Sequence, residues 1–260
     1  MKRVVKALLP ETCRNWWRRR FGWRWFRGDY RTWAEAQRAS SGYDQAAILE
    51  RVVHATREVV AGRARWERDG ALFHEPEVNR PLLDALRAAR PPAGRLEVID
   101  FGGALGSVWR QHRGELGDVG WRVVEQPHYV AAGREFAGET LSFHGSIAEA
   151  LARGPAHVLL FSSVLQYLPE PRRVLAEAAA AALGSVIVDR TGFIAAPRSR
   201  LAVQWTPPAL GGGSYPCWLL SRAELFAPLE SAYELRSEWP ALDELAHDVR
   251  HAGFHFTLRR

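Results

Sequence analysis

The sequence predicts an α/β fold built on a doubly wound, mostly parallel sheet, and three observations predict it. From Leu96 onward, apolar runs of strand length alternate with helix-like stretches. The first run, VIDFGGALG over 98–106, ends in Asp100 and opens into a turn holding Gly102, Gly103 and Gly106. The second, WRVVEQ over 121–126, carries an acid, Glu125, at its end. Strand, glycine turn, helix, strand and acid, in that order, make the nucleotide-binding half of such a sheet. The turn lets backbone approach phosphate or ribose, and the acid accepts from ribose hydroxyls.

Taken along the chain, residues 1–28 form a basic, aromatic arm. Nine Lys or Arg stand there against one acid, Glu11, giving +8, so the remaining 232 residues sum to −2. Trp16, Trp17, Phe21, Trp23, Trp25 and Phe26 are interleaved with those cations. Three surfaces suit such an arm: the body of the protein, the headgroup zone of an anionic membrane and, least of the three, nucleic acid. No stretch reaches the length of a membrane span or a secretory core, and Cys13 and Cys217 form neither a disulfide framework nor a zinc pattern. A cytoplasmic setting is expected, with the arm able to hold the protein at the inner membrane face.

Residues 29–92 read as a helical region. Ile48, Leu49, Val52, Val53, Val59 and Val60 recur at helical spacing, with Asp44 as N-cap and Gly62 as stop. A second helix runs from Pro81 to Arg90 before Pro91–Pro92. The domain proper, 93–260, carries seven strands at 96–101, 121–126, 141–145, 157–163, 185–190, 233–239 and 254–259. The last two follow a long loop.

The order of these pieces resembles the class I S-adenosylmethionine-dependent methyltransferases, a Rossmann-like fold, and the resemblance implies that the last two strands form an antiparallel edge. The wording FGGALGSVW, VVEQPHYV, LLFSSVLQYL, VDRTGF and SYPCWLLS, with FRGDYRTWAEA and GYDQAAILERV upstream, is similar to a methyltransferase family encoded among surface-polysaccharide biosynthesis genes. The resemblance covers nearly everything after Phe26. It implies S-adenosyl-L-methionine as cofactor and O-methylation of a small-molecule or glycan acceptor. Asp100, Gly102, Gly103 and Gly106 then hold the methionine side, with Ala104 standing where the family has its middle glycine. Glu125 takes the ribose, Gln126 the adenosine edge, and Ser146 and Ile147 the adenine.

The exit of the fourth strand, Phe161 to Leu168, should floor the meeting place of cofactor and acceptor, with Ser162 small enough for close approach. His112, Tyr167 and Asp189 are candidate bases, His112 being expected at the surface; Arg190 could hold an anionic acceptor. The segment 206–218, rich in Pro and Gly, is expected as an irregular acceptor lid presenting Tyr215 and Trp218, with Cys217 as buried filler. Two other readings of the chain remain. One is a non-catalytic scaffold or regulator of glycan assembly on the same fold; the other is a nicotinamide-dependent oxidoreductase.

Overall fold

A computed structural model describes residues 25–42, 45–206, 212–241 and 248–259. Strand β1 (Phe26–Tyr30) leads to helices α1 (Trp33–Arg38) and α2 (Gln45–Val60), strands β2 (Trp66–Arg68) and β3 (Ala71–Phe73), and helix α3 (Arg80–Ala88). Alternation follows through β4 (Leu96–Phe101), α4 (Ser107–Leu116), β5 (Val119–Val124), α5 (Pro127–Gly133), β6 (Leu141–His144), α6 (Ile147–Leu151), β7 (Val158–Ser162), α7 (Pro171–Ala180) and β8 (Ser185–Phe193). The chain closes with β9 (Arg200–Trp205), β10 (Ser214–Leu219), α8 (Arg222–Phe226), β11 (Tyr233–Pro240) and β12 (Arg250–Leu258).

The main sheet has the order β11-β12-β8-β7-β4-β5-β6. From β6 across to β8 every pairing is parallel, while β12 runs antiparallel to both β8 and β11. All seven expected strands are present in this α/β, Rossmann-like sheet with its antiparallel edge hairpin. An antiparallel strand seated between two others departs from the six-strand order of dinucleotide-binding sheets.

Both faces are covered, which is why the central strands are almost continuously apolar. On one face Val98, Trp121, Leu160 and Ile187 pack under Leu82, Leu83 and Leu86 of α3. On the other, Ile99, Leu159, Phe161 and Val188 meet Leu175 of α7 and Leu225 and Phe226 of α8. Helix α3 starts where Asn79 Oδ1 accepts from the Leu82 N–H at 3.3 Å, with Pro81 in its first turn. Helix α2 stops before Gly62, whose φ of 74° turns the chain away; the expected cap Asp44 lies outside the described residues.

The structure differs from the sequence reading in four places. The region 29–92 is not wholly helical: β2 and β3 pair as a hairpin turned by Asp69 and Gly70, both at positive φ, with Trp66 stacked on Phe73 at 3.9 Å. The segment 206–218 is not irregular throughout. Its part from Ser214 is strand β10, on the edge of a second sheet ordered β1-β9-β10, where Pro216 is tolerated because an edge strand leaves one side unpaired. Residues 26–28 of the arm belong to that sheet as well, Phe26 pairing with Gln204; residues 1–24 lie outside the described residues. Finally, His112 is buried, not at the surface. No helix among the described residues is long and apolar enough to cross a membrane.

Candidate functional site

The carboxyl ends of β5, β4, β7 and β8 lie side by side, and the chemistry-bearing residues gather there. At β4 the chain leaves through Gly102, with φ of 74°, whose N–H donates to Val124 O at 2.9 Å. A Cβ on Gly102 would stand 2.4 Å from Val164 Cγ2, and one on Gly103 would stand 2.4 Å from Asp100 Oδ2. Internal packing therefore already requires both glycines. Asp100 is fully buried beneath the turn. Its Oδ2 accepts from Trp121 Nε1 at 2.9 Å and its Oδ1 has no partner. Burial pushes its pKa up to about 7.

Glu125 sits one residue past β5, with its carboxylate turned onto the glycine turn. Oε1 accepts from the Ala104 N–H at 3.3 Å and Oε2 from the Gln126 N–H at 2.8 Å. Burial raises its pKa and these two hydrogen bonds oppose the rise. Gln126 itself is exposed. Ser146 caps α6, its Oγ accepting from the Glu149 N–H at 3.1 Å, and Ile147 is packed into the core beside Val124.

Ser162, Asp189 and Arg190 line one narrow cleft together with Ser107, Val108, Gln111 and His112 of α4, Glu67 and Arg68 of β2, and Asn79 and Leu82. Ser162 Oγ is buried there without a partner. Of the five non-glycine residues at left-handed φ among the described residues, Ala104 (51°) and Ser163 (56°) follow β4 and β7 and Arg190 (51°) lies within β8, where its pairing with β12 shifts register; Asp69 and Ala182 lie elsewhere.

The candidate bases are engaged in structure. His112 Nδ1 donates to Val108 O at 2.9 Å and Nε2 accepts from the Asn79 N–H at 3.1 Å, with burial lowering its pKa. Asp189 accepts from Trp239 Nε1 on Oδ1 and from Asn79 Nδ2 on Oδ2, each at 2.9 Å. Tyr167 OH donates to Gln204 Oε1 at 3.1 Å, and its ring meets Tyr215 edge-on at 5.4 Å. Arg190 and Asp189 thus share the cleft with His112, whereas Tyr167 faces the β9–β10 sheet.

Sequence reasoning missed Glu67 and Asn79. Glu67 accepts from the Ser107 hydroxyl and, at 3.2 Å, from the Gly70 N–H. The Asp69–Gly70 pair, between Trp66–Arg68 and the apolar Ala71–Phe73, was the available signal for the hairpin that carries it.

No family model and no curated protein sequence matches the chain. Solved structures do match. The [4+2]-cyclase SpnF aligns over 82% of this chain and 95% of its own, at 16% identity and a TM-score of 0.50. The N-terminal domain of EvdMO1, crystallised in the presence of SAH and D-fucose, aligns over 84% and 98%, at 17% identity and a TM-score of 0.48. The 1,6-didemethyltoxoflavin-N1-methyltransferase of Burkholderia thailandensis aligns over 85% and 92%, at 15% identity and a TM-score of 0.47. At such identities the likeness is one of fold.

Proposed function

We propose that the chain is an S-adenosylmethionine-dependent methyltransferase that O-methylates a sugar or glycan precursor in surface-polysaccharide biosynthesis. One observation carries the reading. Three of the five described left-handed non-glycine residues and a partnerless buried hydroxyl lie together, past the ends of β4 and β7 and on the adjoining stretch of β8, beside the acid that follows β5. Strain and idle polar atoms persist where a ligand uses them. The residues fit the cofactor. Glu125 offers a carboxylate for the ribose diol, the turn 102–106 offers close backbone, Gln126 and Ser146 offer polar edges, and Ile147 an apolar wall. The antiparallel β12 further favours this reading over a nicotinamide enzyme. The acceptor class rests on the sequence resemblance.

Bound S-adenosylmethionine supplies an electrophilic methyl group on a cationic sulfur. The chain's part is to align the acceptor oxygen with it and to exclude water. Ser162, Asn79 and Asp189 line that cleft, Asp189 being held by Asn79 and Trp239, and Arg190, which lines it too, is the group we assign to an anionic acceptor. Because His112 and Asp189 already serve as hydrogen-bond partners, alignment carries more of the rate than a strong base.

A second reading is favoured by the glycines. Val164 and Asp100 already require Gly102 and Gly103, so the turn would persist in a scaffold or regulator of glycan assembly. Calorimetry with S-adenosylmethionine, S-adenosylhomocysteine and NAD separates the readings. Binding of the first two supports the methyltransferase. Binding of NAD alone moves the assignment to an oxidoreductase, and binding of none moves it to the scaffold.

A further inference from the structure

Arg110 is a buried cation with an idle donor. It lies one turn into α4, is only 7% exposed, and its Nη2 has no hydrogen-bond partner. Side chains on a helix lean toward its start. Accordingly the guanidinium folds back on the glycine turn, where Nε donates to Leu105 O at 3.3 Å. The Trp109 and Phe136 rings flank it, each with its centroid 5.3 Å from Cζ. Burial and then Arg113 pull its pKa down to about 10, with Glu67 opposing. Guanidinium nitrogens are not left dry and unpaired without cost.

Glu67 is the complementary group. It is 2% exposed, comes from β2 of the N-terminal hairpin, and is bonded to the hydroxyl of Ser107, the first residue of α4. An acid and a base therefore reach the same first turn of one helix, from two parts of the chain. That turn carries the partial positive charge of the helix start. A ligand group satisfying all three elements carries one anion and one cation a few bonds apart.

We infer that Arg110 and Glu67 receive the amino-acid end of the cofactor, the carboxylate on Arg110 and the first turn of α4, the ammonium on Glu67. The inference rests on the S-adenosylmethionine reading above. It makes the β2–β3 hairpin part of the nucleotide site, a role the sequence did not suggest for residues 29–92.

Calorimetry on the full chain tests it with two probes. S-adenosylhomocysteine has the amino-acid end; 5′-methylthioadenosine keeps the nucleoside and thioether without it. Arg110→Met and Glu67→Gln should each weaken S-adenosylhomocysteine by about tenfold to a hundredfold, the range for hydrogen bonds to charged groups, and leave 5′-methylthioadenosine unchanged. Arg110→Lys, which keeps the cation, should recover part of the loss and guards against a packing defect at Trp109 and Phe136. Parallel loss of both probes, or loss of neither, overturns the inference and leaves the cofactor reading standing. Failure of the unaltered chain to bind either probe overturns the cofactor reading and the inference with it.

Discussion

Asn79 holds Asp189: its side-chain amide donates to Asp189 Oδ2 at 2.9 Å, while its backbone N–H donates to His112 Nε2 at 3.1 Å. The same residue caps α3 through Oδ1. One residue at a helix start, through its side chain and its backbone N–H, thereby ties together β8, α4 and α3 along the wall of the cleft. Asn79→Ala removes the cap, about 1 kcal/mol, and the donor to a buried carboxylate, about 1–3 kcal/mol. Urea unfolding should show the sum. Asn79→Asp keeps a capping oxygen but sets two carboxylates face to face, so it should be no milder than Ala. A harmless Asp variant would reduce Asn79 to a cap.

Val164 fills the space in which a side chain on Gly102 would sit. Gly102→Ala therefore combines left-handed strain with a clash, and should destabilise by about 1–3 kcal/mol. Val164→Ala removes the nearest contact, Cγ2, but keeps the Val164 Cβ 2.8 Å away, so it relieves part of the clash and leaves the strain. The double variant should then be more stable than the two single effects predict, by about 0.5 kcal/mol or more. Strict additivity in denaturant titrations would mean that the turn and the β7 exit do not touch as described.

The central sheet was legible because β4, β5, β7 and β8 are buried on both sides, so nearly every position is apolar and the ends are marked by Gly, Pro or an acid. Their bounds differ from the sequence reading by a few residues at most. The small strands were not legible. WERDGALF is too short for periodicity to show, and β10 carries Pro216, which argues against a strand until its edge position is known. Of the site, the turn and Glu125 could be read because their spacing is local. Asn79, Glu67 and the burial of His112 could not, since their partners lie 110, 40 and 33 residues away.

Asp100 gives the stability a pH signature. Its ordinary pKa of 3.8 rises to about 7 in the fold, so between those values the folded state holds more proton than the unfolded chain. Its contribution is largest near pH 4 and is lost as pH rises through 7. His255, lowered from 6.5 to about 4 by burial, acts with the opposite sign over the overlapping window, and so does His112. The unaltered protein should consequently show a shallow profile. Asp100→Asn removes one side of that balance. Relative to the unaltered chain, its stability should improve between pH 4 and pH 8 by on the order of 3 kcal/mol. A pH-independent difference between the two would place the Asp100 carboxyl in a wetter setting.

For the arm we propose salt-sensitive attachment to anionic lipid. Eight of its nine cations fall within residues 1–24, and each contributes about 1 kcal/mol near an anionic surface. The full chain should co-sediment with anionic vesicles at low salt and be released at high salt. A chain starting at Trp25 should bind neither vesicle type and keep its melting temperature, since β1 begins at Phe26. Equal binding of the full chain to neutral and anionic vesicles, or to neither, would return the arm to packing on the body. Preference for nucleic acid over lipid would support the third surface.

Glu125 has two tasks to be separated. Its carboxylate bonds the Ala104 N–H and so braces the glycine turn, and it is also the group assigned to the ribose. Glu125→Ala removes both, and cofactor affinity should fall by about 1–3 kcal/mol. That loss alone does not say which task mattered. Glu125→Gln keeps a carbonyl oxygen for Ala104 and gives up the charge and one acceptor. If the ribose contact is real, S-adenosylhomocysteine binding should weaken in Glu125→Gln by about 1–2 kcal/mol, with the melting temperature near that of the unaltered chain. Retention of full affinity in Glu125→Gln, with loss only in Glu125→Ala, would make Glu125 a brace for the turn and remove it from the ribose.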